Sequence, residues 1–228
     1  VAHPYLNSSS AAKSILYALS KANEGYGNLS KDWSVIGWSQ GGHAALAAAE
    51  THSALAGYNF KGTVAIAPAS YLSETLDLGM GVANQYAAAG NVADAVKVAA
   101  TLYTYAAIVS SGIKAEKTNF NYEQAFIPSK TLIAREAEVL CSSEVGQLFG
   151  FNIQTTLQEN GGKFSEYKAL QDNFKTDPDI KAYLEKNIPA KVKLDKKVYL
   201  YQGTADTTVP YPFTQSLYQN MLNLGTDV

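Results

Sequence analysis

The fold is decided by the stretch Trp33-Ser34-Val35-Ile36-Gly37-Trp38-Ser39-Gln40-Gly41-Gly42-His43. Its first part, residues 33–38, contains β-branched and aromatic residues that favour a strand. From His43 to Ala56 the chain is rich in alanine and lacks a helix breaker until Gly57, so this part favours a helix. Ser39 is therefore predicted to lie at a sharp turn between a strand and a helix.

Residues 37–41 match the pattern G-x-S-x-G, in which the serine is a nucleophile. Strand and helix approach so closely at such a turn that flanking side chains would clash, and Gly37 and Gly41 are predicted to avoid this. The Gln40 N–H then lies at a helix N-terminus, where it can stabilise an oxyanion. The alternative is a glycine-rich turn with an ordinary surface serine.

Outward from this turn, strands and helices alternate. Further strands are predicted at 62–68 and 197–201, and helices at 9–24 and 212–224, whereas residues 71–191 show mainly helical signals, with helices opening at Val92, Pro128 and Pro178. This order predicts an α/β fold: a partial parallel sheet with helices on both faces and a large helical insertion. The predicted domains are 1–70 (first part of the core), 71–191 (a helical cap) and 192–228 (second part of the core).

Asp206 is the second candidate site residue. It follows the strand at 197–201 in the loop Gln202-Gly203-Thr204-Ala205-Asp206, at the sheet edge where α/β proteins place their sites. There it could orient a catalytic imidazole. The alternative is an aspartate that only closes an Asx turn. Asp195 and Asp227 are weaker candidates, because one precedes the strand and the other follows the last helix.

Together, Gly37-Trp38-Ser39-Gln40-Gly41-Gly42-His43 and Gly203-Thr204-Ala205-Asp206-Thr207-Thr208-Val209-Pro210 resemble the α/β-hydrolase superfamily, and more narrowly the secretory lipases of fungi and bacteria. The opening His3-Pro4-Tyr5-Leu6 is similar to the same family. The resemblance implies a serine carboxylic-ester hydrolase of lipid catabolism with a cap domain, an extracellular location, Ser39 as nucleophile and Asp206 as triad acid.

The triad histidine is the missing part of this pattern. The resemblance implies a histidine after the strand that follows Asp206, yet the three histidines, His3, His43 and His52, all precede Asp206. His43 is expected to pack or to form a hydrogen bond, and His52 to face solvent. A three-strand sheet would also leave the Ser39 strand with an unpaired edge. We therefore expect that both ends of the hydrolase core, and the base, lie outside this sequence: either the sequence is a fragment, or a partner chain supplies the rest.

Composition excludes several other classes of function. The apolar fraction is 46% and the formal net charge is −2, which supports a packed core and disfavours general nucleic-acid binding. A single cysteine, Cys141, excludes a disulfide framework and a cysteine-rich zinc site. No metal, cofactor or transmembrane segment is predicted; the stretch from Val98 to Ile113 is too short to span a bilayer. The expected partner is a small-molecule or lipid ester, with transient contact to a lipid interface.

Three hypotheses remain from the sequence. The first is a lipase-like or esterase-like hydrolase that forms an acyl-enzyme on Ser39, a fragment of which would be nearly inactive alone. The second is a serine peptidase or acyltransferase of the same fold, which shares the turn and the acid. The third is a non-catalytic, hydrolase-like binding module, which the missing base suggests.

Overall fold

The structure is a computed structural model that describes residues 2–228. Its strands and helices, in chain order, are α1 (Ser8–Tyr26), β1 (Asp32–Trp38), α2 (Gln40–Thr51), β2 (Asn59–Ile66), α3 (Leu72–Ala88), α4 (Val92–Glu116), α5 (Pro128–Arg135), α6 (Ser142–Glu159), α7 (Pro178–Lys186), β3 (Val198–Tyr201) and α8 (Tyr211–Asn223). Short 3₁₀ turns at His52–Ala54, Tyr122–Gln124, Glu136–Glu138 and Phe164–Glu166 complete the regular structure.

The described residues form two compact units. The sheet unit comprises Leu6–Leu72 and Lys186–Val228, and the helical unit comprises Ser73–Glu185 together with residues 2–5. The predicted class, an α/β fold with a partial parallel sheet and a large helical insertion, is confirmed. The helical unit contains residues 73–185 of the predicted insertion 71–191, and residues 2–5, which the prediction placed in the first part of the core, group with it.

In the sheet unit the three strands are parallel and lie in the order β1-β2-β3. One face of the sheet carries Ala65 and Val198, which pack with Leu16 of α1, Leu46 of α2 and Leu217 of α8 in a single core cluster. Leu46 has no exposed surface, and burying a leucine side chain contributes about 2 kcal/mol. Three helices therefore cover this face and hold the strands in place.

The opposite face is open. Paired positions place Ile36, Val64 and Tyr199 in one row and Trp38, Ile66 and Tyr201 in the next. Ile36 is 70% exposed and Trp38 72%, while Tyr199 and Tyr201 are 49% and 56% exposed. We call these six residues the open sheet face. The helices of the sheet unit that pack in the core cluster, α1, α2 and α8, all lie against the other face.

In the helical unit, α4 is the central helix and packs against α5 and α6. Aromatic side chains fill the contact: Phe149 of α6 lies between Tyr103 and Phe126, with ring centroids 5.8 and 5.9 Å away. Tyr5, in the segment before α1, packs closely against α4, because a Cβ at Gly112 of α4 would lie 2.6 Å from the Tyr5 carbonyl oxygen. The buried aromatic residues of the insertion are thus its own core.

Within residues 2–228, α4 is the one helix long and apolar enough to cross a membrane by length and composition. It has 25 residues, because it begins at Val92, before the apolar stretch 98–113, and continues after it to Glu116. Half of its most apolar window is buried within the fold. Core helices pass the same test, and the contacts of α4 with α5 and α6 are those of a core helix.

Several boundaries differ from the sequence expectation for identifiable reasons. Helix α1 begins at Ser8, one residue before the predicted 9, and Asn7 caps it, because its side chain accepts the Ser10 N–H at 2.9 Å. The helix that opens at Pro128, as predicted, ends at Arg135. A new helix, α6, begins after Cys141, where Glu144 accepts the Cys141 N–H in a capping box.

Candidate active site

Ser39 lies at the turn between β1 and α2, as the sequence predicts. Its backbone has φ 54° and ψ −118°, a strained conformation for a residue with a Cβ. Hydrogen bonds hold this strain in place: the Ser39 N–H donates to the Ile66 carbonyl at 2.9 Å, and the Ser39 carbonyl accepts the His43 and Ala69 N–H groups at 3.0 and 3.2 Å. The end of β2 therefore fixes the serine from the side.

Gly37 and Gly42 permit the close approach of strand and helix. A Cβ at Gly37 would lie 1.9 Å from the Gly41 carbonyl oxygen, and one at Gly42 would lie 3.0 Å from the Ile66 carbonyl oxygen. A Cβ at Gly41 would meet no atom within 4 Å. The prediction that glycine is needed at position 41 to avoid a side-chain clash is therefore wrong. Instead, the backbone carbonyl of Gly41 is the group that a side chain at position 37 would meet.

The first turn of α2 supplies the polar groups next to the serine. Gln40 is the first residue of α2, so its N–H lies at the positive end of the helix dipole. Anionic groups are stabilised at such a position. The oxyanion role of the Gln40 N–H stays a prediction; the Gln40 side chain is exposed.

Asp206 follows β3, at the same edge of the sheet as Ser39. Trp38, Ile66 and Tyr201 pair across the three strands, so the residues after them emerge side by side. Neighbouring strands are about 4.8 Å apart, so β1 and β3 are separated by roughly 10 Å, with β2 between them. Ser39 and Asp206 thus follow the two outer strands, at the carboxyl edge of the sheet.

Hydrogen bonds shape the Asp206 loop. The Oδ1 atom accepts the Thr208 and Val209 N–H groups at 2.8 and 2.9 Å, which is the Asx turn that the sequence left as an alternative. The Oδ2 atom accepts only a long contact of 3.3 Å from Gln202 Nε2. The turn and the triad role are therefore compatible, since each carboxylate oxygen can serve one of them.

Gln202 is a site residue that the sequence analysis did not single out. Its Nε2 also donates to the Val209 carbonyl at 2.8 Å, and its Oε1 accepts the Thr214 hydroxyl at 2.6 Å. It thereby joins the acid loop to α8. The available signal was its position, directly after a strand and four residues before the candidate acid.

His43 is buried and bound, which agrees with the packing role expected from its place four residues after Ser39. Its Nε2 donates to the Asn187 carbonyl at 2.8 Å and lies 3.1 Å from the Ser8 hydroxyl. Burial lowers the pKa of His43 from its ordinary value and so favours the neutral imidazole. The side chain links α2 to the start of α1 and to the segment that returns from the helical unit.

His52 was expected to face solvent, but its side chain is mostly covered. Its ring stacks on Phe60 at 4.7 Å, and its Nε2 lies 2.7 Å from Asp195 Oδ1. The hydrogen bond to His52 lowers the pKa of Asp195. Asp195 precedes β3, so this pair lies at the sheet edge opposite to Ser39, and Asp195 cannot act as the triad acid.

Asp227 lies at that opposite edge as well. Its backbone carbonyl accepts the Val198 N–H at 2.8 Å, and its side chain forms an ion pair with Lys197 at 3.6 Å. Asp206 is therefore the one of the three candidate aspartates that shares an edge with Ser39. His3 is exposed and belongs to the helical unit.

Each unit contains an open groove. In the sheet unit, a groove of about 260 Å³ lies beside Gln202, between β3 and the Thr214 and Tyr218 positions of α8. In the helical unit, a groove of about 460 Å³ lies between α4 and α6. Small and polar side chains line much of the second groove, with Tyr105 as its aromatic member. Among residues 2–228, no cluster of three metal-ligating side chains occurs.

No family model and no curated protein sequence matches the chain, whereas several solved structures do. A candidate hydrolase from Legionella pneumophila has a TM-score of 0.69 at 15% identity, covering 97% of this chain and 56% of its own. A point mutant of the rice cell wall degrading esterase LipA from Xanthomonas oryzae has a TM-score of 0.66 at 18% identity, covering 98% and 57%.

Candida antarctica lipase A has a TM-score of 0.52 at 12% identity, covering 98% of this chain and 48% of its own. The chain thus spans about half the length of these solved structures. At such low identity the likeness concerns the fold. The resemblance to lipase-like α/β-hydrolases, first indicated by the motifs around Ser39 and Asp206, is confirmed at that level: this chain has the fold of part of an α/β-hydrolase.

Proposed function

We propose that this chain is the nucleophile-bearing part of a serine carboxylic-ester hydrolase of the lipase or esterase type. The observation that carries the proposal is the strained backbone of Ser39 at a strand-to-helix turn that only glycine at position 37 permits. A serine held in this way has its hydroxyl presented at the turn rather than within a helix. Esterase and lipase neighbours support the reaction class.

The proposed reaction begins when Ser39 Oγ attacks the carbonyl carbon of the ester. A histidine from polypeptide outside residues 1–228 takes the hydroxyl proton, and Asp206 orients that imidazole and stabilises its charged form. The Gln40 N–H donates to the oxyanion. Collapse of the tetrahedral intermediate releases the alcohol, which takes the proton from the imidazolium, and water then hydrolyses the acyl-enzyme by the same steps.

The proposal concerns the whole hydrolase, of which these residues form a part. The substrate would be a lipid or other small carboxylic ester, bound in transient contact with a lipid interface. The family resemblance also supports an extracellular location. Residues 1–228 alone, which contain no histidine after Asp206, should turn over a p-nitrophenyl ester about 10⁴ to 10⁶ times more slowly than the whole gene product.

A fluorophosphonate probe tests the nucleophile in the whole gene product. We expect labelling of the wild type, loss of labelling in Ser39→Ala, and retained labelling in Ser34→Ala, whose serine lies exposed on β1, the strand that precedes Ser39. Labelling that survives in Ser39→Ala would reject Ser39. A whole gene product that never reacts would favour the non-catalytic binding module, and comparison of ester and peptide substrates would separate hydrolase from peptidase.

A further inference from the structure

The side-chain amide of Gln202 contacts three groups of the Asp206 loop and one group of α8. Its Nε2 atom donates to the Val209 carbonyl at 2.8 Å, and it makes longer contacts with the Gly203 carbonyl at 3.2 Å and with Asp206 Oδ2 at 3.3 Å. Its Oε1 atom accepts the Thr214 hydroxyl at 2.6 Å. The two hydrogens of the amide thus serve three acceptors, and the two longer contacts are those of a shared hydrogen.

The neighbours of the Gln202 amide fix its orientation. A half-turn of the amide would place Oε1 against two carbonyl oxygens and a carboxylate oxygen, and none of these groups can donate a hydrogen. Thr214 enforces the observed orientation, because it is only 2% exposed and its hydroxyl donates to Gln202 Oε1. Helix α8 therefore determines, through one buried hydroxyl, which way the Gln202 amide points.

We propose that Gln202, oriented by Thr214, is a positioning residue for the carboxylate of Asp206, an inference that rests on the proposed function. Asp206 is only partly buried, so packing alone does not hold its carboxylate. The Thr208 and Val209 N–H groups hold Oδ1, and the Gln202 amide holds Oδ2. With both oxygens held, the carboxylate cannot rotate freely, and the remaining lone pair of Oδ2 keeps a constant direction for the imidazole. The alternative is that Gln202 only closes the backbone of the loop.

Steady-state ester hydrolysis by the whole gene product tests the role of the amide. Gln202→Met keeps most of the side-chain volume and removes the donor, so we expect kcat to fall about 10- to 100-fold while KM is unchanged. Gln202→Glu should lose at least as much, because its carboxylate would repel Asp206 Oδ2. Gln215→Glu is the matched control: it adds the same charge at an exposed position of α8 and should leave kcat unchanged.

Two substitutions of Thr214 separate positioning from packing. Valine keeps the shape of threonine and removes the hydroxyl, whereas serine keeps the hydroxyl and loses a buried methyl group. We expect kcat to fall about 10-fold in Thr214→Val and to stay within about twofold of the wild type in Thr214→Ser, with KM unchanged in both. If Thr214 served packing alone, Thr214→Ser would be the more damaging substitution.

Hydrogen exchange of the same proteins shows whether a loss of kcat arises in the loop. A peptide that covers residues 203–209 should exchange faster in Gln202→Met and Thr214→Val than in the wild type, while peptides from α2 should not. Faster exchange throughout the sheet unit would instead assign Gln202 to stability and overturn the inference. Wild-type kcat in Gln202→Met, or equal kcat in the two Thr214 variants, would overturn it and leave the proposed function standing. A wild type that hydrolyses no ester would overturn both.

Discussion

Substitution of Gly37 by alanine should damage the fold far more than the same substitution at Gly41. A Cβ at Gly37 would lie 1.9 Å from the Gly41 carbonyl oxygen and 2.2 Å from its carbon. Ordinary contacts between carbon and oxygen are about 3.3 Å, so strand and helix would have to separate by more than about 1 Å. Because both partners are backbone atoms, no rotamer change relieves the contact.

We expect Gly37→Ala to cost at least about 3 kcal/mol of unfolding free energy, since overpacking costs 1–3 kcal/mol even where side chains can adjust. For a chain of this size that corresponds to a fall in Tm of roughly 6–12 °C. Gly41→Ala should change stability by about 1 kcal/mol or less, because its Cβ would enter open space within α2.

Thermal unfolding followed by circular dichroism measures both variants, and hydrogen exchange of peptides that cover residues 37–43 shows whether the loss is local. The Gly37→Ala variant should exchange faster in that segment than the wild type, and Gly41→Ala should not. Equal stability of the two variants, or a Gly37→Ala loss below about 1 kcal/mol, would refute the close approach described for the turn.

Three further substitutions test the surroundings of the site. His43→Gln should flatten the pH dependence of the unfolding free energy. Burial lowers the folded-state pKa of His43, so the wild type loses stability as pH falls below the ordinary value of 6.5, by at most about 1.4 kcal/mol per pH unit. Urea titrations at pH 5 to 8 would detect this loss in the wild type and its absence in His43→Gln. Asp195→Asn should remove a small stabilisation that is complete above pH 3.8 and is lost as pH falls through the lowered folded-state pKa; Tm measured from pH 3 to 6 should therefore converge with the wild type at the acid end. Asp206→Asn should keep the loop ordered, because the amide oxygen can still accept the Thr208 and Val209 N–H groups. The same substitution should slow ester turnover by the whole gene product about 10⁴-fold. Unchanged turnover would show that Asp206 serves only to form the Asx turn.

The sequence was most informative where local chemistry leaves few alternatives. A serine between glycines, after a β-prone run and before an alanine-rich run, predicted the turn, and the backbone of Ser39 has the strained conformation that such a turn requires. The place of Asp206 was likewise predictable, because a loop after a parallel strand emerges at the same edge as the others. Local order therefore predicted both candidate catalytic residues.

What the sequence could not supply depends on contacts between distant segments. The clash at Gly37 involves the backbone of Gly41, so only coordinates show which glycine is indispensable. The partner of His52 is Asp195, which is far along the chain, and nothing near His52 indicates it. Similarly, the side chains of β1 point alternately to the two faces of the sheet whether or not helices cover both faces. Sequence periodicity therefore predicts the direction of each side chain but not what packs against it.

The order of the strands has a consequence for how the molecule assembles. The pairing of β1 with β2 joins neighbouring segments through α2, whereas Thr63 of β2 meets Val198 of β3 only after the whole helical unit has been traversed. Closing a long loop is entropically costly and slows the contacts that depend on it. During synthesis the turn at Ser39 can thus form with β1, α2 and β2 alone, while the Asp206 loop joins the same sheet edge only once β3 has paired with β2.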